Sequence, residues 1–277
     1  MRATGAGGSP YIIRGGLSGR ERLRVISRGM RPTTLALLDR VGVPEGARCL
    51  DAGCGGGDVA LELAARAGST GRVVGVDFDE EKLALARAEA VATGSSVEYR
   101  RGDVTTDDLG AGFDVVYTRF LLTHLLDPAA ACDRLRGALL PGGAVVVEDI
   151  DFSGSFSHPD IPAYRRYCEI YVATARARGV DPNIGPRLPA LLRDAGFEQV
   201  QVSVVQPVGV VPEGFEGEVK LACALTLENI ADAAVAAGVA PRDELDRVTD
   251  ELYRLAADAV TLMSFPRMVQ AWGRRPA

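Results

Sequence analysis

The chain has 277 residues, 47% hydrophobic and 25% charged, with a net charge of −6 at neutral pH. No apolar run reaches the ~18 residues of a membrane span, and an acidic balance without a basic block lacks the footprint of a general nucleic-acid binder. Five widely spaced cysteines without a C-x-x-C signal neither a disulfide framework nor a zinc site. The N-terminus lacks an apolar core of signal-peptide length, so the expectation is a cytoplasmic protein with a small-molecule partner, no nucleic acid and no membrane.

The first ten residues are compositionally loose. Within "YIIRGG", however, Tyr11 and two isoleucines are costly to expose. Residues 19 to 41 carry apolar residues at helical spacing and predict one or two helices, with Pro32 suited to a first helical turn. From residue 47 the pattern changes. "ARCLDAG", "RVVGVDF", "VEYRRGD", "FDVVYTR" and "GAVVVEDIDF" read as strands, and "DVALELAARA", "EEKLALARAEAVA" and "AACDRLRGALL" between them read as helices.

That alternation predicts an α/β fold, a Rossmann-like doubly wound sheet of mostly parallel strands covered on both faces. Ligands in such sheets sit beyond the carboxyl ends of the strands. Asp51, Asp77, Asp103, Tyr117 and Asp149 each end a predicted strand and are expected to border one crevice. Beyond residue 152 follow a helix over 160 to 178, the helix "LPALLRDAGF", the strand "EQVQVSVVQPV", a mostly helical stretch over 212 to 260 and a last strand, "RMVQAWGRR". The expected organisation is an N-terminal helical cap (1–45), a binding core (46–152), and lid helices with the last strands completing the same domain (153–277). The insertion before the last strand is large enough for a lid or a dimer surface, which keeps a homodimer open.

The segment "RCLDAGCGGGDVALELA" places Gly53, Gly55, Gly56 and Gly57 between a strand and a helix, where a ligand's polar groups can approach bare backbone amides. Asp77 ends the next strand, where a carboxylate can accept hydrogen bonds from two ribose hydroxyls. A dinucleotide fingerprint would need glycine at position 58, which is Asp58, and no glycine-lysine-serine/threonine follows, so a phosphate-cradling loop is excluded.

These residues, with "VVGVDFD", "RRGDV", "FDVVYTRFLLTHLLDP" and "LRGALLPGGAVVVEDID" in order and at the right spacing, resemble the class I S-adenosylmethionine-dependent methyltransferases across residues 46 to 150. The resemblance implies S-adenosyl-L-methionine as cofactor, S-adenosyl-L-homocysteine as product, and no metal. It sets Gly53, Gly55 and Gly57 against the methionine part, Asp77 on the ribose, and Asp103 and Val104 on the adenine. Asp51 either orders the loop or meets the amino group, and Phe78 and Arg119 join the cofactor residues. Similar N-terminal segments bring an aromatic residue to the methyl group and an arginine to the carboxylate, roles that fall to Tyr11 and Arg14.

Methyl transfer needs a nucleophile aligned behind the sulfonium carbon and, where it carries a proton, a base. The candidates are His124, Tyr117, Tyr11, Asp149 and Asp151. His124 has an unperturbed pKa suited to neutral pH, but a loop-packing role for it stands beside the catalytic one. His158 reads as surface or rim. Tyr164, Tyr167 and Tyr171 share a helical face that either lines an aromatic acceptor's pocket or packs the lid.

"YTRF" does not match the proline-rich signature of adenine and amide-nitrogen methyltransferases, the carboxylate pattern of catechol-type metal enzymes is missing, and no double-Glu hairpin of the protein-arginine type is visible. The resemblance therefore implies transfer to O, N or C of a small aromatic, natural-product-like or quinone-like acceptor. C-methylation of an indole, a non-methylating regulatory or cyclase-like role, and an oxidoreductase using another nucleotide stand as alternatives.

Overall fold

The computed structural model describes residues 16–277; Tyr11 and Arg14 lie outside the described residues. The described residues begin with α1 (Gly16–Val41), continue through β1 (Arg48–Ala52), α2 (Asp58–Ala67), β2 (Arg72–Asp77), α3 (Glu80–Thr93), β3 (Glu98–Arg101) and β4 (Phe113–Arg119), and reach α4 (Pro128–Ala138) and β5 (Leu139–Asp151). The second half holds β6 (Ser157–His158), α5 (Pro162–Ala177), α6 (Leu188–Asp194), β7 (Glu198–Val205), β8 (Val208–Gly209), α7 (Gly214–Ala236), α8 (Arg242–Ala256), β9 (Leu262–Ser264) and β10 (Arg267–Arg274).

Seven strands form one sheet in the order β3-β2-β1-β4-β5-β10-β7. The pairs among β1 to β5 are parallel, and β10 runs antiparallel to both of its neighbours, β5 and β7. The strand order reverses between β1 and β4, so the loops leaving these strands diverge and open a crevice at their carboxyl ends. Strand periodicity divides the core. Leu50, Val116, Val145 and Val147 face α4 and α6, whereas Cys49, Val115, Val146 and Trp272 face α1, α2 and α3.

Local chemistry fixes the helices around the crevice. Asp79 caps α3 by accepting from the amides of Glu81 and Lys82, and α3 stops at Gly94 in the left-handed region. Asp127 caps α4 with Pro128 in its first turn.

Residues 16 to 41 form a single helix, so Pro32 lies inside it and not in a first turn. Pro32 offers no amide to the preceding turn, yet burial of Val25, Met30, Leu37 and Leu38 on either side of it keeps the helix continuous. Helix α1 lies along α7, and with α5 and α8 these build a separate apolar cluster above the crevice. Strands β6, β9 and β8 form a small second sheet, from which Met263 joins that cluster. No helix among the described residues is long and apolar enough to cross a membrane.

Candidate active site

A cavity of about 300 Å³ opens at the carboxyl ends of β1, β2 and β4. Asp51, Gly53, Gly55, Asp77, Phe78, Asp103, Val104, Tyr117, Arg119 and His124, ten residues singled out in the sequence, all border it.

The turn after β1 is open backbone. Gly53 adopts φ 74°, and a Cβ there would come within 3.0 Å of Leu121, whereas at Gly55 and Gly56 a Cβ would meet nothing within 4 Å. A ligand can thus lie directly on these two residues. Gly57 departs from expectation, because it does not border the cavity. Its φ of 81° starts α2, its carbonyl accepts a hydrogen bond from the Tyr99 hydroxyl at 3.2 Å, and a Cβ would stand 2.3 Å from that hydroxyl. Gly57 is required by packing and turn geometry.

The acidic residues differ in environment. Asp77 accepts the Gly55 amide on Oδ2 and the Asp79 amide on Oδ1, both at 2.9 Å, which fixes its carboxylate at the cavity wall. Asp103 is exposed and accepts from the amide and hydroxyl of Thr105. Asp51 is 3% exposed, and its Oδ2 has no hydrogen-bond partner among the described residues. Burial, with Asp58 and Asp77 nearby and Arg119 and the Ala60 amide opposing, pushes the Asp51 carboxyl up to about 8. A buried acceptor of this kind is costly unless a donor reaches it. Phe78, 46% exposed with Lys82 above its ring at 5.5 Å, offers a flat aromatic face at the mouth.

Arg119 donates to Asp58 Oδ2 at 2.7 Å and to the Thr34 hydroxyl at 3.3 Å. Thr34 donates in turn to Glu148, which also accepts from the Tyr117 hydroxyl and from Gln270 at 2.7 Å. Glu148 is fully buried. This network ties α1, α2, β4, β5 and β10 together below the cavity floor. It also corrects the reading of Tyr117 as a catalytic group, because its hydroxyl is committed to Glu148, and burial and that carboxylate raise its pKa well above the usual phenol value.

Two other candidate bases are likewise structural. Asp149 does not border the cavity: it is fully buried and accepts from the amides of Thr123 and Ile150, with burial raising its pKa to about 7. Asp151 pairs with Arg267 and holds the amide and hydroxyl of Ser153. His158 is exposed in β6.

A second cavity of about 50 Å³ adjoins the first, and Arg22, Ile26, Phe120 and His124 border both. Its walls include Tyr167 and Tyr171 of α5, Ala222 and Thr226 of α7, and Phe152, Phe265 and Met268. Phe152 stacks on Tyr171 at 4.1 Å between ring centroids and meets Tyr167 edge-on. Tyr164, expected with them, does not line the space; its hydroxyl donates to the Ser264 carbonyl at 2.8 Å and packs the lid.

His124 is 8% exposed, and burial together with Arg22 and Lys82 pushes its pKa down to about 3. The ring is therefore neutral at physiological pH. Among the described residues no group of three or more His, Cys, Asp and Glu is placed to hold a metal ion.

Sequence reasoning gave no place in the site to Arg22, Asp58, Lys82, Phe120, Glu148 or Thr226. Phe120 left a trace only in the structure: its φ of 55° is unusual for an aromatic residue and turns the chain out of β4 beneath both cavities.

Comparison with known proteins agrees with this architecture. A family model described as a methyltransferase domain matches residues 49–143. A 2-phytyl-1,4-naphtoquinone methyltransferase from Thermosynechococcus vestitus is 32% identical over 182 residues, which cover 59% of this chain and 78% of that protein. A 37.1 kDa protein of transposon TN4556 from Streptomyces fradiae is 32% identical over 78% of this chain, and the match spans only 60% of its length. The fold matches a phosphoethanolamine N-methyltransferase 2 of Haemonchus contortus, solved with phosphomonomethylethanolamine and S-adenosylhomocysteine, with a TM-score of 0.53 and 19% identity over 97% of this chain and 55% of that one.

The class is thus a nucleotide-type α/β protein with a roofed crevice. The chain belongs to the S-adenosylmethionine-dependent methyltransferases of the class I fold.

Proposed function

We propose that the protein transfers a methyl group from S-adenosyl-L-methionine to O, N or C of a small, aromatic acceptor. The observation that carries this reading is the pairing of an unpartnered, buried Asp51 Oδ2 with open glycine backbone in one cavity, and an aromatic-walled cavity joined to it at His124.

The residues fit the cofactor. Asp51 would meet its α-ammonium, Gly55 and Gly56 its methionine part, Asp77 the ribose hydroxyls, and Phe78, Asp103 and Val104 the adenine. The cofactor supplies an electrophilic methyl group on a sulfonium. The protein's own contribution is alignment and exclusion of water: α1, α5 and α7 roof the site, and the stacked Phe152 and Tyr171 offer an aromatic surface to the acceptor.

With its pKa near 3, His124 serves as a neutral hydrogen-bond partner that orients the acceptor and is a poor proton acceptor at neutral pH. This favours acceptors needing no deprotonation in the transfer step: an amine with a free lone pair, an already ionised oxygen, or an electron-rich ring carbon such as that of an indole.

An assay with methyl-labelled S-adenosyl-L-methionine over a panel of phenols, amines and indoles tests the proposal. Label should pass to at least one acceptor. Cofactor binding without transfer to any of them would favour a non-methylating role.

A further inference from the structure

Among the described residues, Arg22 and Arg119 are the arginines that border the first cavity. Arg119 is paired with Asp58, whereas no carboxylate among the described residues lies within ion-pair distance of Arg22. Arg22 is nevertheless 8% exposed. Its Nε donates to the Thr226 hydroxyl at 3.0 Å, which ties α1 to α7 and holds the guanidinium in place. A guanidinium has five N–H donors in a planar fork, and among the described residues this bond is the one it makes. Burying a cation without a counter-charge is expensive, and an anion that completes the pair recovers that cost.

Position says which anion. Arg22 borders both cavities, and the smaller one contains none of Asp51, Gly53, Gly55, Asp77 or Asp103. The neighbours of Arg22 there are apolar or neutral: Ile26, Phe120, Tyr167, Tyr171 and His124. The donor's carboxylate belongs with its α-ammonium at Asp51 and the glycine turn, which border the first cavity and not the second. Resting on the methyltransferase reading, we infer that Arg22 anchors the acceptor, and that the acceptor is an aromatic molecule bearing a carboxylate held by the free edge of the guanidinium. A planar fork matches a carboxylate with two parallel hydrogen bonds, and the stacked Phe152 and Tyr171 take the ring.

The test uses the whole chain saturated with S-adenosyl-L-homocysteine. Benzoate, phenylacetate and indole-3-carboxylate are each titrated against the matching uncharged amide by ligand-observed NMR. At least one acid should bind ten-fold or more tighter than its amide. Arg22→Gln should reduce that preference below three-fold and Arg22→Lys should keep part of it, while S-adenosyl-L-homocysteine affinity stays within three-fold in both. Amides binding as well as acids, or neither binding, overturns the inference. A ten-fold loss of S-adenosyl-L-homocysteine affinity in Arg22→Gln overturns it too, because Arg22 would then serve the donor's carboxylate. If Arg22→Gln does not fold, the acid-against-amide preference of the wild type decides alone. Wild-type protein that does not bind S-adenosyl-L-homocysteine at all ends the methyltransferase reading and the inference with it, an outcome distinct from bound cofactor without anion preference.

Discussion

Asp51 couples cofactor binding to proton release. With its carboxyl pushed up to about 8, about 0.9 of a proton resides on it at pH 7 in the free protein. An α-ammonium brought to the unpartnered Oδ2 favours the ionised form, and each unit by which the pKa falls is about 1.4 kcal/mol of preference for the ionised over the protonated carboxyl. A fall to the ordinary carboxylate range therefore releases nearly the whole proton. Calorimetric titration of S-adenosyl-L-homocysteine at pH 7, in buffers of different ionisation enthalpy, reads the proton count as the slope of observed enthalpy against that enthalpy. The wild type should release close to one proton. Asp51→Asn keeps the shape but removes the titrating group; it should bind more weakly by roughly 1 to 3 kcal/mol, with the Asp51 share of the release gone. Equal slopes in the two proteins would refute the placement of the ammonium at Asp51.

Three further outcomes follow from the geometry. Asp77→Ala should weaken S-adenosyl-L-homocysteine by roughly 1 to 3 kcal/mol through lost charge-assisted hydrogen bonds, and unchanged affinity would misplace the ribose. Gly57→Ala should lower stability by about 1 to 3 kcal/mol, since its Cβ meets the Tyr99 hydroxyl at 2.3 Å in a left-handed backbone; a denaturant midpoint equal to wild type would contradict the packing role. For His124, the folded pKa of about 3 lies below the unfolded value near 6.5, so the unfolded chain binds the extra proton in between. The stability involved is fully present above about pH 6.5 and falls as the pH drops toward 3, and His124→Gln should flatten that slope in urea unfolding at pH 4.5, 5.5 and 7.

Much of the sheet was legible because burial on both faces leaves near-continuous apolar strands, as in Val145, Val146 and Val147, and because alanine-rich helices alternate with them. Position at strand ends likewise placed Asp51, Asp77 and Asp103 at one cavity. The same logic misplaced Asp149. A strand end fixes a residue's height in the sheet and leaves open the loop that covers it, and here the turn holding Thr123 folds over the carboxylate.

Tyr117 and Gly57 failed similarly: their partners, Glu148 and Tyr99, lie in other strands and are set by register. Arg22 did leave a signal. It falls four, seven and eight residues before Ile26, Gly29 and Met30, on the buried stripe of α1, where an arginine is out of place; among Arg20, Arg24 and Arg28 it reads as surface charge. Only the packing of α7, 204 residues away at Thr226, shows it to be buried.

On the proposed function, the crevice at the ends of β1, β2 and β4 binds S-adenosylmethionine. Parallel calorimetric titrations of the full chain with S-adenosyl-L-homocysteine and with NAD address it most directly. Saturable one-to-one binding of S-adenosyl-L-homocysteine, abolished or much weakened by Asp77→Ala, with no heat from NAD, is the predicted result. Tight binding of NAD with none of S-adenosyl-L-homocysteine would contradict the account.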